Sequence, residues 1–219
     1  MIIQPDSKLV MIGDSITDCG RSQPRGEGLF EANGTGYVSI VDGLLTATSP
    51  ADRIRVVNMG TSGNTVRDLA KRWQKDVLDL APDWVSVFIG INDVWRHFDT
   101  PLLKDGQVHH DEYAETLDAL VKQTRPLVKG LILMTPYFIE PNRNDAMRQM
   151  MTQYGNTVKA LAEKYDAVLV DTQAAFDAVL MDLHPMTLAW DRIHPTRAGH
   201  VVLARAFLNA IGYEWSPKT

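Results

Sequence analysis

Cysteine is almost missing from this sequence: Cys19 is the only one among 219 residues. An internal disulfide and a thiolate metal cluster are therefore both excluded. No apolar run approaches the ~20 residues that a membrane-spanning helix requires. The opening residues, Met1 to Asp6, carry neither the basic stretch nor the apolar segment of a signal peptide. The cytoplasm is the expected compartment, with no membrane partner. Lysine and arginine form no cluster and the net charge is −5, which argues against nucleic acid as a partner. Internal repeats, low-complexity tracts and linkers are also lacking, so residues 1–219 read as one domain.

What is present is an ordinary globular composition, 45% hydrophobic and 22% charged, on a chain long enough to bury a proper core. Five short apolar runs recur at Leu9–Ile12, Ile54–Asn58, Trp84–Ile89, Leu131–Thr135 and Ala167–Asp171. Each is bounded by Gly, Pro, Asp or Asn, as buried parallel strands are. Helical spacing fills the gaps: Val66, Leu69, Ala70, Trp73 and Val77; then Tyr113, Leu117, Leu120, Val121 and Val128. A third set runs from Met147 through Met150, Met151, Tyr154 and Val158 to Leu161, with Asn144 or Asp145 as cap. The last helix starts at Thr196, has Val201, Val202, Leu208 and Ile211 on its apolar face, and ends at Gly212. Alternating strands and helices predict an α/β fold with a parallel sheet covered on both faces.

Ligands gather at the carboxyl ends of such strands. Three strand ends there read Gly13-Asp14-Ser15, Met59-Gly60-Thr61 and Gly90-Ile91-Asn92-Asp93. Ser15 is the candidate nucleophile, although Asp-Ser after Gly also makes a plain turn or helix cap. A serine hydroxyl needs a base, and the base an orienting acid. Of six histidines only His194, in Asp191-Arg192-Ile193-His194-Pro195, has an acid arranged beside it. Pro195 holds that loop out of helix, so Asp191 can accept from Nδ1 while Nε2 faces Ser15. His109 and His110 read as a solvated loop, and His200 as packing or surface. Acyl transfer also needs donors for the oxyanion: the Gly60 N–H and the Asn92 amide are the candidates. Singly, each of these is a common turn residue; together they form a set.

Those four blocks resemble the GDSL or SGNH hydrolases, with Ser15, Gly60, Asn92 and His194 in the family's order. The resemblance implies a flavodoxin-like three-layer α/β/α sandwich with a five-stranded parallel sheet in the order 2-1-3-4-5. It further implies metal-free and cofactor-free ester hydrolysis, and the Ser15 N–H as another oxyanion donor. The absence of Gly-x-Ser-x-Gly agrees with it. Gly-Asp-Ser-Ile-Thr-Asp-Cys-Gly-Arg, the segment Gly60 to Leu69, Gly90 to Arg96 and Ala189-Trp190-Asp191 look like the intracellular acetylxylan esterases of Gram-positive bacteria. That likeness implies deacetylation of xylo-oligosaccharides and a homo-oligomer. A general short-chain esterase, a thioesterase and a lysophospholipase remain as alternatives.

Around this core, Asp14, Asn64, Trp95, Arg96 and Trp190 are candidate substrate contacts. An indole suits a sugar ring, and equally a core or a subunit interface. Asp14 also reads as the residue that poses the serine loop. The glycine-rich loop 19–36 suits a flap or a neighbouring subunit, and Trp215 a subunit contact or packing back on the domain.

Overall fold

The computed structural model describes residues 1–215. In chain order the elements are β1 (Lys8–Gly13), α1 (Ser15–Asp18), α2 (Tyr37–Thr48), β2 (Arg55–Asn58), α3 (Val66–Asp76), β3 (Trp84–Phe88) and α4 (Ile91–Trp95). They continue with α5 (His110–Thr124), β4 (Gly130–Met134), α6 (Ala146–Lys164), β5 (Val168–Val170), α7 (Thr172–Val179), α8 (Pro185–Leu188) and α9 (Arg197–Ala210). All strands are parallel, in the order β2-β1-β3-β4-β5. The expected sheet order is the one found.

Burial explains why the sheet is legible. Every residue of β3 and β4 is buried, as are five of six in β1, so these strands have no solvent face. β5 at the edge is only partly covered. One helical layer, α2 and α9 with α7, packs together on one side, and α3, α5 and α6 on the other. Side-chain caps fix several helix starts: Asp14 accepts from the Ile16 N–H, Asp145 from Arg148, Asp171 from Ala174 and Thr196 from Gly199. Thr65 and Asp68 form a reciprocal capping box at α3.

Three expectations need correction. Val128 does not extend α5, which stops at Thr124 because Pro126 cannot supply a helical N–H. Val201 is 48% exposed; the buried face of α9 is His200, Leu203, Ala204, Phe207 and Leu208. Residues 37–48 and 172–188, left without an element by the sequence patterns, contribute α2, α7 and α8. The glycine-rich loop is pinned to the sheet, since Gly26 and the end of β2 exchange backbone hydrogen bonds through Asn58. Its Leu29 and Phe30 stand 80% and 96% exposed. Trp215 packs back on the domain, donating to Asn209 Oδ1 and meeting Tyr213 edge-on, yet half of it stays exposed. Among the described residues, no helix is long and apolar enough to cross a membrane.

Candidate active site

Strand β1 ends at Gly13, and the chain turns at once into α1, whose first residue is Ser15. Asp14 makes that turn. It is 2% exposed, and its Oδ1 accepts from the Ile16 N–H at 3.0 Å. Burial pushes its carboxyl up to about 7, against the pull of that hydrogen bond and of His194. So enclosed, Asp14 offers almost no surface to a ligand, and its hydrogen bond caps the start of α1 at the serine.

The far end of the chain brings the partners. Ser15 Oγ lies 2.9 Å from His194 Nε2, and His194 Nδ1 lies 2.6 Å from Asp191 Oδ2. A carboxylate only accepts, so Nδ1 carries the hydrogen and Nε2 is free to accept from the serine. The other Asp191 oxygen accepts from the Ile193 and His194 N–H groups at 2.9 and 2.8 Å. Partial desolvation works to raise the Asp191 pKa, but these three hydrogen bonds outweigh it and hold the carboxyl below its ordinary value. Beneath, Tyr137 donates to the Ile193 carbonyl at 2.7 Å, the Ile139 N–H to Arg192, and Glu140 pairs with the Arg192 guanidinium.

The oxyanion donors fall out less simply. Asn92, on α4, gives one Nδ2 hydrogen to the Asn64 carbonyl at 3.0 Å, while its Oδ1 accepts from Arg96 at 3.2 Å. The amide is thereby fixed in orientation, with a second hydrogen left over. The Ser15 N–H has no acceptor among the described residues. Gly60 departs from expectation: its N–H donates to Asn58 Oδ1 at 2.8 Å. A Cβ there would sit 2.2 Å from the Asp18 nitrogen, so this glycine is required by close packing of α1. Three residues on, Gly63 has φ +79° in a turn closed by Asn64 N–H to Thr61 C=O, and its own N–H finds no acceptor among the described residues. The sequence reading passed over Gly63. The signal was Thr-Ser-Gly-Asn, a turn whose third residue needs positive φ.

Of the other proposed contacts, Trp95 meets the His194 ring edge-on, with centroids 5.7 Å apart, and Trp190 is 79% exposed. Asn64 and Arg96 are occupied by the protein itself. The first accepts from Arg72 and Asn92; the second pairs with Asp99 and Asn92 and lies 4.9 Å over Trp95. Both brace the Asn92 amide.

A cavity of about 360 Å³ opens beside Ser15 and His194, with Cys19, Thr35, Arg197 and His200 in its walls. Cys19 and His200 do not form a second nucleophilic pair. His200 Nδ1 accepts from the Tyr37 N–H at 3.2 Å, so its remaining hydrogen is on Nε2, 3.3 Å from Cys19 Sγ. Burial lowers the His200 pKa to about 4, and burial with nearby Asp18 and Asp14 pushes the thiol up to about 12, so both groups stay neutral. Among the described residues, no three His, Cys, Asp or Glu side chains gather as a metal-binding group.

Comparisons with known proteins agree with this geometry. Residues 11–202 match the GDSL-like Lipase/Acylhydrolase family. The chain is 60% identical over 215 residues, 98% of each protein, to an acetylxylan esterase of Geobacillus stearothermophilus. The crystal structure of Axe2, an acetylxylan esterase from that organism, is 59% identical and superposes with a TM-score of 0.98 over 100% of both chains. LAE5, an alpha/beta hydrolase enzyme from the metagenome of Lake Arreo in Spain, is 58% identical with a TM-score of 0.95, covering 97% of this chain and 98% of its own. With the family's match spanning both Ser15 and the Asp191–His194 pair, the chain belongs to the GDSL-like lipase/acylhydrolase family.

Proposed function

We propose that this protein is a serine carbohydrate esterase that removes acetyl groups from xylo-oligosaccharides. The observation that carries the reading is the continuous hydrogen-bonded line from Ser15 Oγ through His194 to Asp191. His194 Nε2 takes the serine proton as Oγ attacks the acetyl carbonyl, and Asp191 stabilises the imidazolium that forms. The oxyanion is held by the Ser15 N–H, the free Asn92 hydrogen and a glycine N–H of the 59–64 loop. We assign that last donor to Gly63 in place of Gly60, because the Gly60 N–H is already given to Asn58. His194 then returns the proton to the departing sugar oxygen, leaving acetyl on Ser15. Water, deprotonated by the same imidazole, attacks the acyl-enzyme, and the imidazolium returns that proton to Ser15 Oγ as its bond to the acetyl carbon breaks and acetate is released.

The substrate class is supported by the likeness in sequence and in structure to acetylxylan esterase of Geobacillus stearothermophilus. The cavity beside the serine adds to this, for Thr35 and Arg197 line it beside Ile16 and Pro195 and offer polar groups to sugar hydroxyls. We further propose one hydrolase domain, a cytoplasmic location and a homo-oligomer. The last is supported by exposed Phe30, Leu29 and Trp190, apolar surface that a neighbouring copy would cover. Sedimentation of the purified chain checks it; a monomer at all concentrations rejects it.

The test of function is acetate release from acetylated xylo-oligosaccharides, set against aryl acetates, octanoyl esters and acyl-thioesters. Turnover of the sugar esters that disappears in Ser15→Ala is expected. A preference for long-chain esters or thioesters, or activity surviving in Ser15→Ala, overturns the proposal.

A further inference from the structure

Arg72 lies in α3, outside the segment that carries the nucleophile. Its guanidinium nevertheless touches two of the three loops that build the oxyanion site and, through Asn64, braces the third. Nη2 donates to the Gly13 carbonyl at 3.0 Å, at the end of the strand that delivers Ser15. Nη1 donates to the Met59 carbonyl at 2.7 Å, where the loop carrying Gly60 and Gly63 begins. Nε donates to Asn64 Oδ1 at 2.7 Å, where that loop ends, and the carbonyl of the same Asn64 receives the Asn92 amide. Asp76, one turn along, neutralises the cation from 2.9 Å, and both side chains are 16% exposed.

Other side chains tie the serine segment to the 59–64 loop: Asp18 Oδ2 accepts from the Ser62 N–H and hydroxyl, and the Asn58 amide donates to the Thr17 carbonyl while its oxygen accepts from the Gly60 N–H. The Gly13 carbonyl also accepts from the Thr61 N–H, and the Val66 N–H at the start of α3 donates to Asp93, beside Asn92. Those bonds are pairwise, whereas the guanidinium fork is rigid and planar and fixes several acceptors relative to each other at once. Oxyanion stabilisation demands that arrangement, because donors must lie 2.7–3.1 Å from a single developing charge, and roughly 1 Å of misplacement costs about 10²-fold.

We propose that Arg72 is a positioning residue that sets the mutual geometry of the oxyanion donors, an inference that rests on the esterase reading of the site. It touches no substrate. It acts on the transition state through the backbone it holds, so its loss lowers kcat and leaves ground-state binding nearly alone. Lysine cannot replace it, since a point charge reaches one or two of the acceptors and cannot span all three.

The experiment compares Arg72→Lys, Arg72→Ala, Asn64→Ala and Ser15→Ala with the parent chain, using an aryl acetate as probe and circular dichroism for folding. Arg72→Lys is expected to melt as a folded protein, with kcat down on the order of 10²-fold and KM within about threefold. In Arg72→Ala, added methylguanidinium should restore part of kcat, while methylammonium at the same ionic strength should not. Asn64→Ala, which cuts only the link toward Asn92, should lose kcat by about tenfold, and it keeps the idea testable if the Arg72 variants do not fold. Near-parental kcat in Arg72→Lys, a rise in KM alone, or equal rescue by methylammonium overturns the role of Arg72. Activity persisting in Ser15→Ala overturns the esterase reading instead, so the two failures are told apart.

Discussion

The two halves of the candidate site are built differently. The donor half, Gly13 to Ser15, 59–64 and Gly90 to Trp95, hangs from the ends of three adjacent buried strands and is cross-tied from below by Arg72. Asn92 there is 2% exposed. The base half, Asp191 to His194, sits on a loop that follows no strand directly, and its two functional side chains are 40% and 45% exposed. It is held by contacts to residues 137–140 and by Arg192 in a left-handed conformation at φ +63°. The difference matches the tasks. Charge stabilisation works through donors already in place, whereas in the proposed reaction the imidazole has to meet a leaving sugar and then a water from solvent.

Substitutions on each half test that division. Asp191→Asn keeps an oxygen for the Ile193 and His194 N–H groups but can hold the imidazole in the wrong tautomer. It should cost on the order of 10⁴ in kcat, with folding intact, read from steady-state rates and a thermal melt. On the donor half, Asn92→Ala removes one donor of three and should cost about 10²–10³ in kcat with little change in KM. A larger loss in Asn92→Ala than in Asp191→Asn would mean that the donor half does more than hold charge, and the division would break.

The same contrast governs what could be read from sequence. Side-chain chemistry was legible: Ser15, Asn92 and the Asp191–His194 pair have residue types and spacings that point to one reaction, and the structure brings them to one rim. Buried parallel strands are near-continuous apolar runs, so the sheet was legible as well. Backbone chemistry was not. Whether Gly60 or Gly63 offers a free N–H depends on where the Asn58 side chain lands. Asn64 and Arg96 looked like ligand contacts because their polar ends are visible in sequence while their protein partners, Arg72, Asp99 and Asn92, are not. Helix α2 escaped because only Tyr37, Val38, Val41 and Leu45 are buried, a stripe too short to stand out from its neighbours.

The smallest effect belongs to the support beneath the donors. Asp93 is fully buried: one oxygen accepts from the Val66 N–H at 2.9 Å and the other has no partner among the described residues. Burial pushes its carboxyl up to about 7, with nearby Asp14 and Asp68 adding to the rise against the Val66 bond. A raised carboxylate is neutral in the folded protein over a range where the unfolded chain has already lost its proton, so the folded state binds more protons there. Its contribution to stability is thus complete below the unfolded value near 4 and is lost as pH rises toward 7, by up to about 1.4 kcal/mol per pH unit. Asp93→Asn has no proton to lose. Compared in the same buffers from pH 4 to 8, the variant should start less stable than the parent, because its amide finds no acceptor at the vacant oxygen's place. The gap should then narrow by a few degrees of melting temperature per pH unit and stop changing above about 7. Asp14, raised in the same way, adds to the rise at Asp93, so the same comparison is made in an Asp14→Asn background to separate the two carboxyls. A gap that stays constant across the range would mean that Asp93 ionises in the fold, and the donor half would then rest on a buried charge.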